Sequence, residues 1–407
     1  MKAIAREQDF LAWAKSKSPD DVLSHSSVDE PTIQEAVYTA FILPQFRQLH
    51  DEDNQWGLPS LKSAIAKRYG IADSQDEPRI LLTPGASNAI YDVCKTFLDS
   101  DSEAVVEMPC YQPICLAVQK SGAKVVPWYR DPAANFALDL AILPNLITHR
   151  TRVVLISNPH NPTSALTTIS ELEQIAQIVR ELADPNVIRV VVDEIYLDLT
   201  QDIGSNKSPT FAGGNLSSAA RLGDDFISIN SLSKVYGLSR LRCGWMLASP
   251  PVIERLRETY KVVINIGSQD TEIVASMLFQ NLDEYAARSR SIAESNRERM
   301  RRELNPLLSQ GILRGDVLDY GCIYFPGLPW LSNLETRDAD QIIDTLDKEF
   351  GVAPGRFFGF RENDQDSRYM FHVRVGFGGN PMLFADKLSG FVGKLRSLYS
   401  TTIPRQG

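Results

Sequence analysis

Asn230-Ser231-Leu232-Ser233-Lys234-Val235-Tyr236-Gly237-Leu238-Ser239-Arg240-Leu241-Arg242-Cys243-Gly244-Trp245 is the stretch on which the reading of this chain turns. Lys234 follows Phe226 to Ile229, an apolar segment that reads as a buried strand. Around it stand hydroxyls at Ser231 and Ser233, a turn glycine at Gly237 and cations at Arg240 and Arg242. A lysine attacks a carbonyl only when its amine can shed its proton, and desolvation beside other cations lowers its pKa. Hydroxyls with an arginine fork nearby are groups that bind phosphate. A Schiff-base lysine next to a phosphate binder suggests pyridoxal phosphate as cofactor. Taken alone, the same residues also read as a loop lysine between a strand and a helix.

Outward from Lys234, strand-length apolar runs recur at Arg79 to Leu82, Ala104 to Glu107, Lys124 to Trp128, Arg152 to Ser157, Val187 to Val192, Phe226 to Asn230 and Gly244 to Ala248. Helical periodicity fills most of the intervals, notably about Ala89 to Leu98 and Ser170 to Leu182. Strands rich in valine and isoleucine, alternating with helices, predict an α/β fold with a mainly parallel sheet covered on both faces. Ligands of such sheets lie beyond the carboxyl ends of the strands. The chemistry-bearing residues fall there: Gly85, Ala86 and Ser87 after one strand, Tyr111 after another, Asn158 to Asn161 after a third, Asp193 and Tyr196 after a fourth, and Ser231 with Lys234 after a fifth. The small-residue turn Thr83 to Asn88, ahead of a helix, leaves backbone N–H groups free for a phosphate.

Before this block, Phe10, Leu11 and Trp13 predict a helix that packs against something, His25 to Asp29 an extended arm, and Ser60 to Tyr69 a helix capped by Ser60 and stopped at Gly70. After Pro250, long helices are expected over Pro251 to Val263 and Leu282 to Leu308, a strand over Val317 to Phe325, a helix over Asp338 to Phe350, a strand over Met370 to Val375 and a closing helix over Pro381 to Leu398. Such a block reads as a smaller α+β domain. The expected division is 1–45 for the arm and part of the small domain, 46–280 for a large cofactor-binding domain and 281–407 for the small domain.

With 407 residues, 43% hydrophobic and 23% charged, the composition is that of a globular chain long enough for two cores. Its net charge of -9 argues against nucleic acid as a partner. The basic cluster Arg297 to Arg302 alternates with glutamates and reads as a solvated helix face. Five scattered cysteines, an odd number, predict free thiols in a reducing compartment, and no Cys or His spacing matches a metal site. No window approaches the roughly 20 apolar residues that span a bilayer. The expectation is a cytoplasmic protein with neither membrane nor nucleic-acid partners.

Four motifs, Asn158-Pro159-His160-Asn161-Pro162-Thr163, Asp193-Glu194-Ile195-Tyr196, Ser231-Leu232-Ser233-Lys234 with Gly237 and Arg242, and His372-Val373-Arg374-Val375-Gly376, stand in the order and spacing of a known family. Over about Trp56 to Gly378 the chain resembles the class I/II aminotransferases, pyridoxal-phosphate enzymes of fold type I with a seven-stranded sheet. The resemblance implies that Lys234 forms the internal aldimine and later moves a proton at Cα, that Asp193 pairs with the pyridinium nitrogen, and that Asn161 and Tyr196 bond the phenolic oxygen. It places the phosphate on Gly85, Ala86, Ser87, Ser231, Ser233 and Arg242, stacks Tyr111 on the ring, and sets Arg374, with Asn161 and Ser27, at the substrate carboxylate. It further implies a homodimer with shared active sites and an amino acid as the small-molecule substrate.

One position departs from the family. A partner-subunit tyrosine that reaches the phosphate is expected a few residues before Gly57, yet Asp51-Glu52-Asp53-Asn54-Gln55-Trp56 holds none. Leu23-Ser24-His25-Ser26-Ser27-Val28, Pro109-Cys110-Tyr111-Gln112 and Trp128 are also similar to the branch that includes capreomycidine synthase. In that alternative the enzyme is a cyclase on a hydroxylated arginine, with Glu30, Glu52 or Asp53 near a guanidinium. A non-catalytic regulator that keeps the fold is the remaining alternative, and it lacks room for a DNA-binding module.

Overall fold

Val, Ile and Leu crowd the strands because both faces of the sheet are covered, so no polar alternation is needed. The strands are β1 (Ile80–Thr83), β2 (Glu103–Met108), β3 (Lys124–Tyr129), β4 (Thr151–Ser157), β5 (Arg189–Asp193), β6 (Phe226–Ser231) and β7 (Gly244–Leu247). They form one seven-stranded sheet in the order β1-β7-β6-β5-β4-β2-β3. Neighbours from β6 to β3 run parallel, and β7 runs antiparallel to both β1 and β6. The computed structural model describes residues 10–18, 21–28, 56–74, 78–182, 188–200, 218–265, 267–359 and 368–402.

Along β4, Val153 and Leu155 face one core with the helices Ala86–Phe97, Gln112–Lys120 and Pro250–Val263. Val154 and Ile156 face the other, with Leu172, Ile175 and Val179 of Ile169–Leu182. This two-period split is how a strand buries both sides. The fold is therefore the α/β architecture expected, a mainly parallel seven-stranded sheet with helices on both faces.

A three-stranded antiparallel sheet, β8 (Ile323–Tyr324), β10 (Val373–Gly376) and β9 (Ala353–Pro354), lies with the helices Leu282–Ser309, Thr336–Phe350 and Pro381–Thr402. Several expectations change in detail. The strand expected over Val317 to Phe325 shrinks to two residues, and at its expected start the Val317 carbonyl accepts from the Arg301 guanidinium (2.8 Å). The helix expected to be capped by Ser60 begins at Pro59, a residue suited to a first helical position because it has no N–H to leave unpaired. Glu272 Oε2 accepts the Leu58 N–H before it (2.7 Å). Helix Gln269–Leu278 was not anticipated. Arg297 is not solvated but buried, donating to the Gly321 carbonyl (3.0 Å) with its guanidinium 5.6 Å from the Phe377 ring.

All five cysteines are free and buried. Among the described residues no helix is long and apolar enough to cross a membrane, and no group of three or more His, Cys, Asp or Glu is placed to hold a metal.

Candidate active site

At the carboxyl edge of the large sheet a cavity of about 220 Å³ gathers residues from eight separate stretches of the sequence. β5 ends at Asp193, in register with Ser157 of β4 and Ile229 of β6, so the strand termini bring Asp193, Asn161 and Lys234 to one edge. The loop after β6 turns through Leu232, anchored by Leu238 N donating to its carbonyl (3.0 Å), which sets Lys234 into the cavity. Burial lowers the Lys234 pKa to about 8, and the Arg374 charge adds to that effect while Asp193 opposes it. A neutral amine is then reachable near physiological pH.

The Asp193 carboxylate is 6% exposed and accepts from the Ile195 N–H (3.3 Å). Burial pushes its carboxyl up to about 7. Buried acids of this kind call for a cationic donor. Tyr196 is buried too, and its hydroxyl donates to the Ser26 carbonyl (2.6 Å). Asn161 Oδ1 accepts from Arg374 Nη1 (3.2 Å), and Arg374 Nη2 donates to the Ser24 carbonyl (3.3 Å). Arg374 is 1% exposed, its Nε lacks a hydrogen-bond partner, and its guanidinium lies 5.1 Å from the Phe10 ring and 5.0 Å from the Phe358 ring.

Gly85, at φ 93°, starts the helix Ala86–Phe97, whose first N–H groups have no helical acceptors. A side chain at Gly85 would run into the Arg242 guanidinium, and one at Gly244 would come within 2.8 Å of Gly85 Cα. The absence of both side chains lets Arg242 lie over the helix start, where Nη2 donates to the Pro84 carbonyl (3.0 Å). Ser231 Oγ accepts from the Ser233 N–H (3.2 Å) in the same turn. N–H groups, hydroxyls and a guanidinium together make a donor set suited to a phosphate.

These observations test the fit of pyridoxal phosphate. The lysine has a depressed pKa, the carboxylate a raised one, and the anion cradle is built from close-packed glycines. The residues present fit the group.

Every residue expected at the site has been placed. Ser27, Ala86, Ser87, Tyr111, Asn161, Asp193, Tyr196, Lys234 and Arg374 line the cavity, and Gly85, Ser231, Ser233 and Arg242 belong to the turns around it. Residues 29–55, which include Glu30, Glu52, Asp53 and the segment lacking the expected tyrosine, lie outside the described residues.

Other neighbours escaped the sequence reading. Ser26 Oγ accepts from Lys234 Nζ (3.1 Å), and Phe10 lines the cavity with its ring 5.4 Å from that of Tyr111. Behind the strand ends, Arg130 Nε donates to Glu107 Oε2 (2.8 Å), and its other nitrogens reach the Phe136 carbonyl (2.8 Å) and Thr167 (3.0 Å). A glutamate inside Ala104-Val105-Val106-Glu107-Met108 was the available signal, since a charge in a buried run needs a partner. His160 donates from Nε2 to the Pro109 carbonyl (2.7 Å), which fixes its tautomer and leaves Nδ1 to accept from Thr163 (2.7 Å).

Residues 26–360 match the family model of aminotransferase class I and II. The aspartate aminotransferase of Bacillus subtilis is 26% identical over 320 residues, 75% of this chain and 76% of that protein. A probable N-succinyldiaminopimelate aminotransferase of Mycobacterium tuberculosis is 27% identical over 249 residues, 60% of each. A tetra mutant of Thermus thermophilus aspartate aminotransferase shares the fold at a TM-score of 0.74 and 19% identity, covering 97% of this chain and all of that one. These relatives favour amino-group transfer over the cyclase alternative. With a family match that runs through the cavity from Ser26 to Lys234 and a fold shared along nearly its whole length, the chain belongs to the class I and II aminotransferases and takes pyridoxal 5′-phosphate as its cofactor.

Proposed function

We propose that the residues gathered in this cavity transfer the α-amino group of an amino acid to a 2-oxo acid, with Lys234 as the group that holds the cofactor. The observation that carries the proposal is the buried Lys234 amine, its pKa lowered to about 8, in one cavity with Asp193 and Arg374. Pyridoxal phosphate, when bound, supplies an aldehyde for the amino group and a ring that takes up the electron pair left at Cα.

The chain's own residues do the rest. Asp193 would hold the ring nitrogen protonated, gaining the cationic partner its buried carboxylate calls for. Ala86, Ser87, Ser231, Ser233 and Arg242, with room left by Gly85, would hold the phosphate, and Tyr111 would cover a face of the ring. Asn161 and Tyr196 are assigned to the phenolic oxygen. Arg374 grips the substrate α-carboxylate as a fork, with Asn161 and Ser27 beside it, and so orients the Cα–H bond. Lys234, once neutral and free, takes the Cα proton onto Nζ.

The same reading makes the protein a cytoplasmic homodimer with shared active sites. Support comes from the adjacent Val262 and Val263, 80% and 57% exposed at the end of Pro250–Val263, and from the five free thiols. It divides the chain into 1–45, 46–280 and 281–407, a division supported by the large sheet lying within 80–247 and the small one within 323–376.

The test is borohydride reduction of the purified yellow protein followed by peptide mapping, alongside a half-reaction with an amino donor. Label on Lys234 and conversion of the cofactor to its amine form are expected. A colourless protein, or label on another lysine, refutes the proposal.

A further inference from the structure

Residues 24–28 cross the cavity tied down on two sides by their backbone. Toward the site, the Ser24 carbonyl accepts from Arg374 Nη2 (3.3 Å), the Ser26 carbonyl accepts from the Tyr196 hydroxyl (2.6 Å), and the Val28 N–H donates to the Lys234 carbonyl (3.3 Å). Toward the small sheet, the His25 and Ser27 carbonyls lie against Gly376 and Gly378, where a side chain would strike them. These contacts fix the register of the segment. In that register the buried Ser26 hydroxyl meets Lys234 Nζ and accepts from it (3.1 Å).

A hydrogen bond to the reacting amine acts differently before and after the amine takes a proton. When Lys234 removes the substrate proton, the Cα–H bond breaks, a new N–H bond forms on Nζ, the electron pair stays behind at Cα, and the amine becomes an ammonium. The bond to Ser26 Oγ then changes from a neutral to a charge-assisted one, which is roughly twice as strong. An interaction that strengthens as the proton arrives lowers the barrier to its arrival. Before the transfer, an N–H bound to Ser26 limits rotation about the Cε–Nζ bond and so restricts the directions open to the lone pair.

The other groups around the amine do not depend on this hydroxyl. Burial is the main influence on the Lys234 charge; Arg374 of β10 and Arg242 also oppose it, and Asp193 at the end of β5 supports it. Cys322 keeps its own proton, because burial holds its thiol up to about 12. His25 and Tyr196 border the same cavity. All of them remain when Ser26 becomes alanine, and so does the Ser26 carbonyl that Tyr196 uses.

We infer that Ser26 is a positioning residue for Lys234: its hydroxyl accepts an N–H of the free amine, restricts the aim of the lone pair, and holds the ammonium once the proton has moved. This inference rests on the aminotransferase reading above.

The experiment has two arms. In the first, cofactor-free wild type and Ser26→Ala are labelled with trace acetic anhydride from about pH 6 to about pH 10, and the extent at Lys234 is read by peptide mapping. Loss of a bond that favours the charged form should raise the acid dissociation constant of Lys234 about 3- to 10-fold, moving its labelling curve to lower pH. In the second, single turnover of the holoenzymes is followed by absorbance with L-alanine, L-aspartate, L-glutamate and L-phenylalanine and with their α-deuterated forms. For any that reacts, Ser26→Ala should lower the saturating rate about 10- to 100-fold, leave the half-saturating concentration within about 3-fold, and show a deuterium effect at least as large as that of wild type. Ser26→Thr, which keeps a hydroxyl, should recover most of the lost rate. A labelling curve that stays in place or moves to higher pH, a loss confined to half-saturation, or a loss as large in Ser26→Thr overturns the inference. Should none of the four react, the labelling arm decides. Wild-type holoenzyme that carries no borohydride label at Lys234 overturns the reading beneath, and the cofactor-free arm tells that failure apart from failure of the inference.

Discussion

Replacing Asp193 by Asn separates what this carboxylate costs the cofactor-free protein from what it contributes to cofactor binding. Burial is the largest influence, raising its carboxyl from 3.8 to about 7, with the Glu107 charge adding and the Ile195 N–H and Lys234 opposing. A native pKa above the unfolded one means that the folded state holds the proton longer. The stability this provides is complete below about pH 4 and is lost as pH rises through about 7. At about 1.4 kcal/mol per tenfold change in acidity, the loss reaches at most about 4 kcal/mol above that range, and relaxation of the site lowers it to roughly 2–4 kcal/mol. Asparagine keeps an acceptor for the Ile195 N–H and carries no charge. Cofactor-free Asp193→Asn should therefore resist urea better than wild type, by under about 2 kcal/mol at pH 5 and by more at pH 8.5. The order should reverse with cofactor, because the variant offers no anion to a protonated ring nitrogen; fluorescence titration should show weaker binding of pyridoxal phosphate. An advantage that does not grow with pH, or an unchanged cofactor affinity, refutes the reasoning.

Arg374→Lys keeps a charge but loses the planar fork, so KM for the amino donor should rise about 10- to 100-fold with a smaller change in kcat, and an unaltered KM would count against the assigned role. Arg130→Met strands the buried Glu107 carboxylate, for which a loss of about 3–5 kcal/mol is expected in thermal or urea unfolding. Adding Glu107→Gln should recover part of that loss, and the absence of recovery would show that the ion pair is not the cause. The double variant Val262→Asp, Val263→Asp should shift sedimentation from dimer toward monomer, and an unchanged mass would remove this face from the proposed interface.

Much of the large sheet could be read from the chain because its strands are buried on both faces, which leaves unbroken apolar runs such as Val190-Val191-Val192 with a polar residue directly after them. Site residues that follow such runs were legible for the same reason: Asp193, Lys234 and Ser87 mark where an apolar strand gives way to chemistry. What escaped depends on contacts between distant segments. Phe10 is one aromatic residue in a short helix, and nothing nearby in sequence indicates that Arg374 lies beneath it. Ser26 sits in a polar run where each hydroxyl reads alike until the Lys234 amine is placed beside one of them. The two-residue strand β8 carries no period of its own, and Gln269–Leu278 mixes acids with a short apolar stretch, so periodicity at that length does not separate helix from loop.

The glycine that ends β10 shows how closely these distant segments depend on one another. Ser24 and Ser26 give their carbonyls to Arg374 and Tyr196, and Val28 N donates to the Lys234 carbonyl (3.3 Å), so residues 24–28 touch the proposed carboxylate grip, phenolic-oxygen group and nucleophile together. Such a path is open only because Gly376 has no side chain. A methyl group there would collide with the His25 carbonyl, and one at Gly378 would lie 2.7 Å from the Ser27 carbonyl. These are backbone atoms, which cannot rotate away as a side chain could. Gly376→Ala should therefore displace 24–28 while leaving most of the seven-stranded sheet folded, since β2 to β6 pack in cores without β10 and only β1 and β7 share a core with Val373 and Val375. The expected result is near-native helical circular dichroism and retained borohydride labelling of Lys234, with binding of a carboxylate inhibitor weakened about 10-fold or more. Inhibitor binding equal to wild type in a folded Gly376→Ala protein would mean that the arm is not what holds Arg374 in its gripping position.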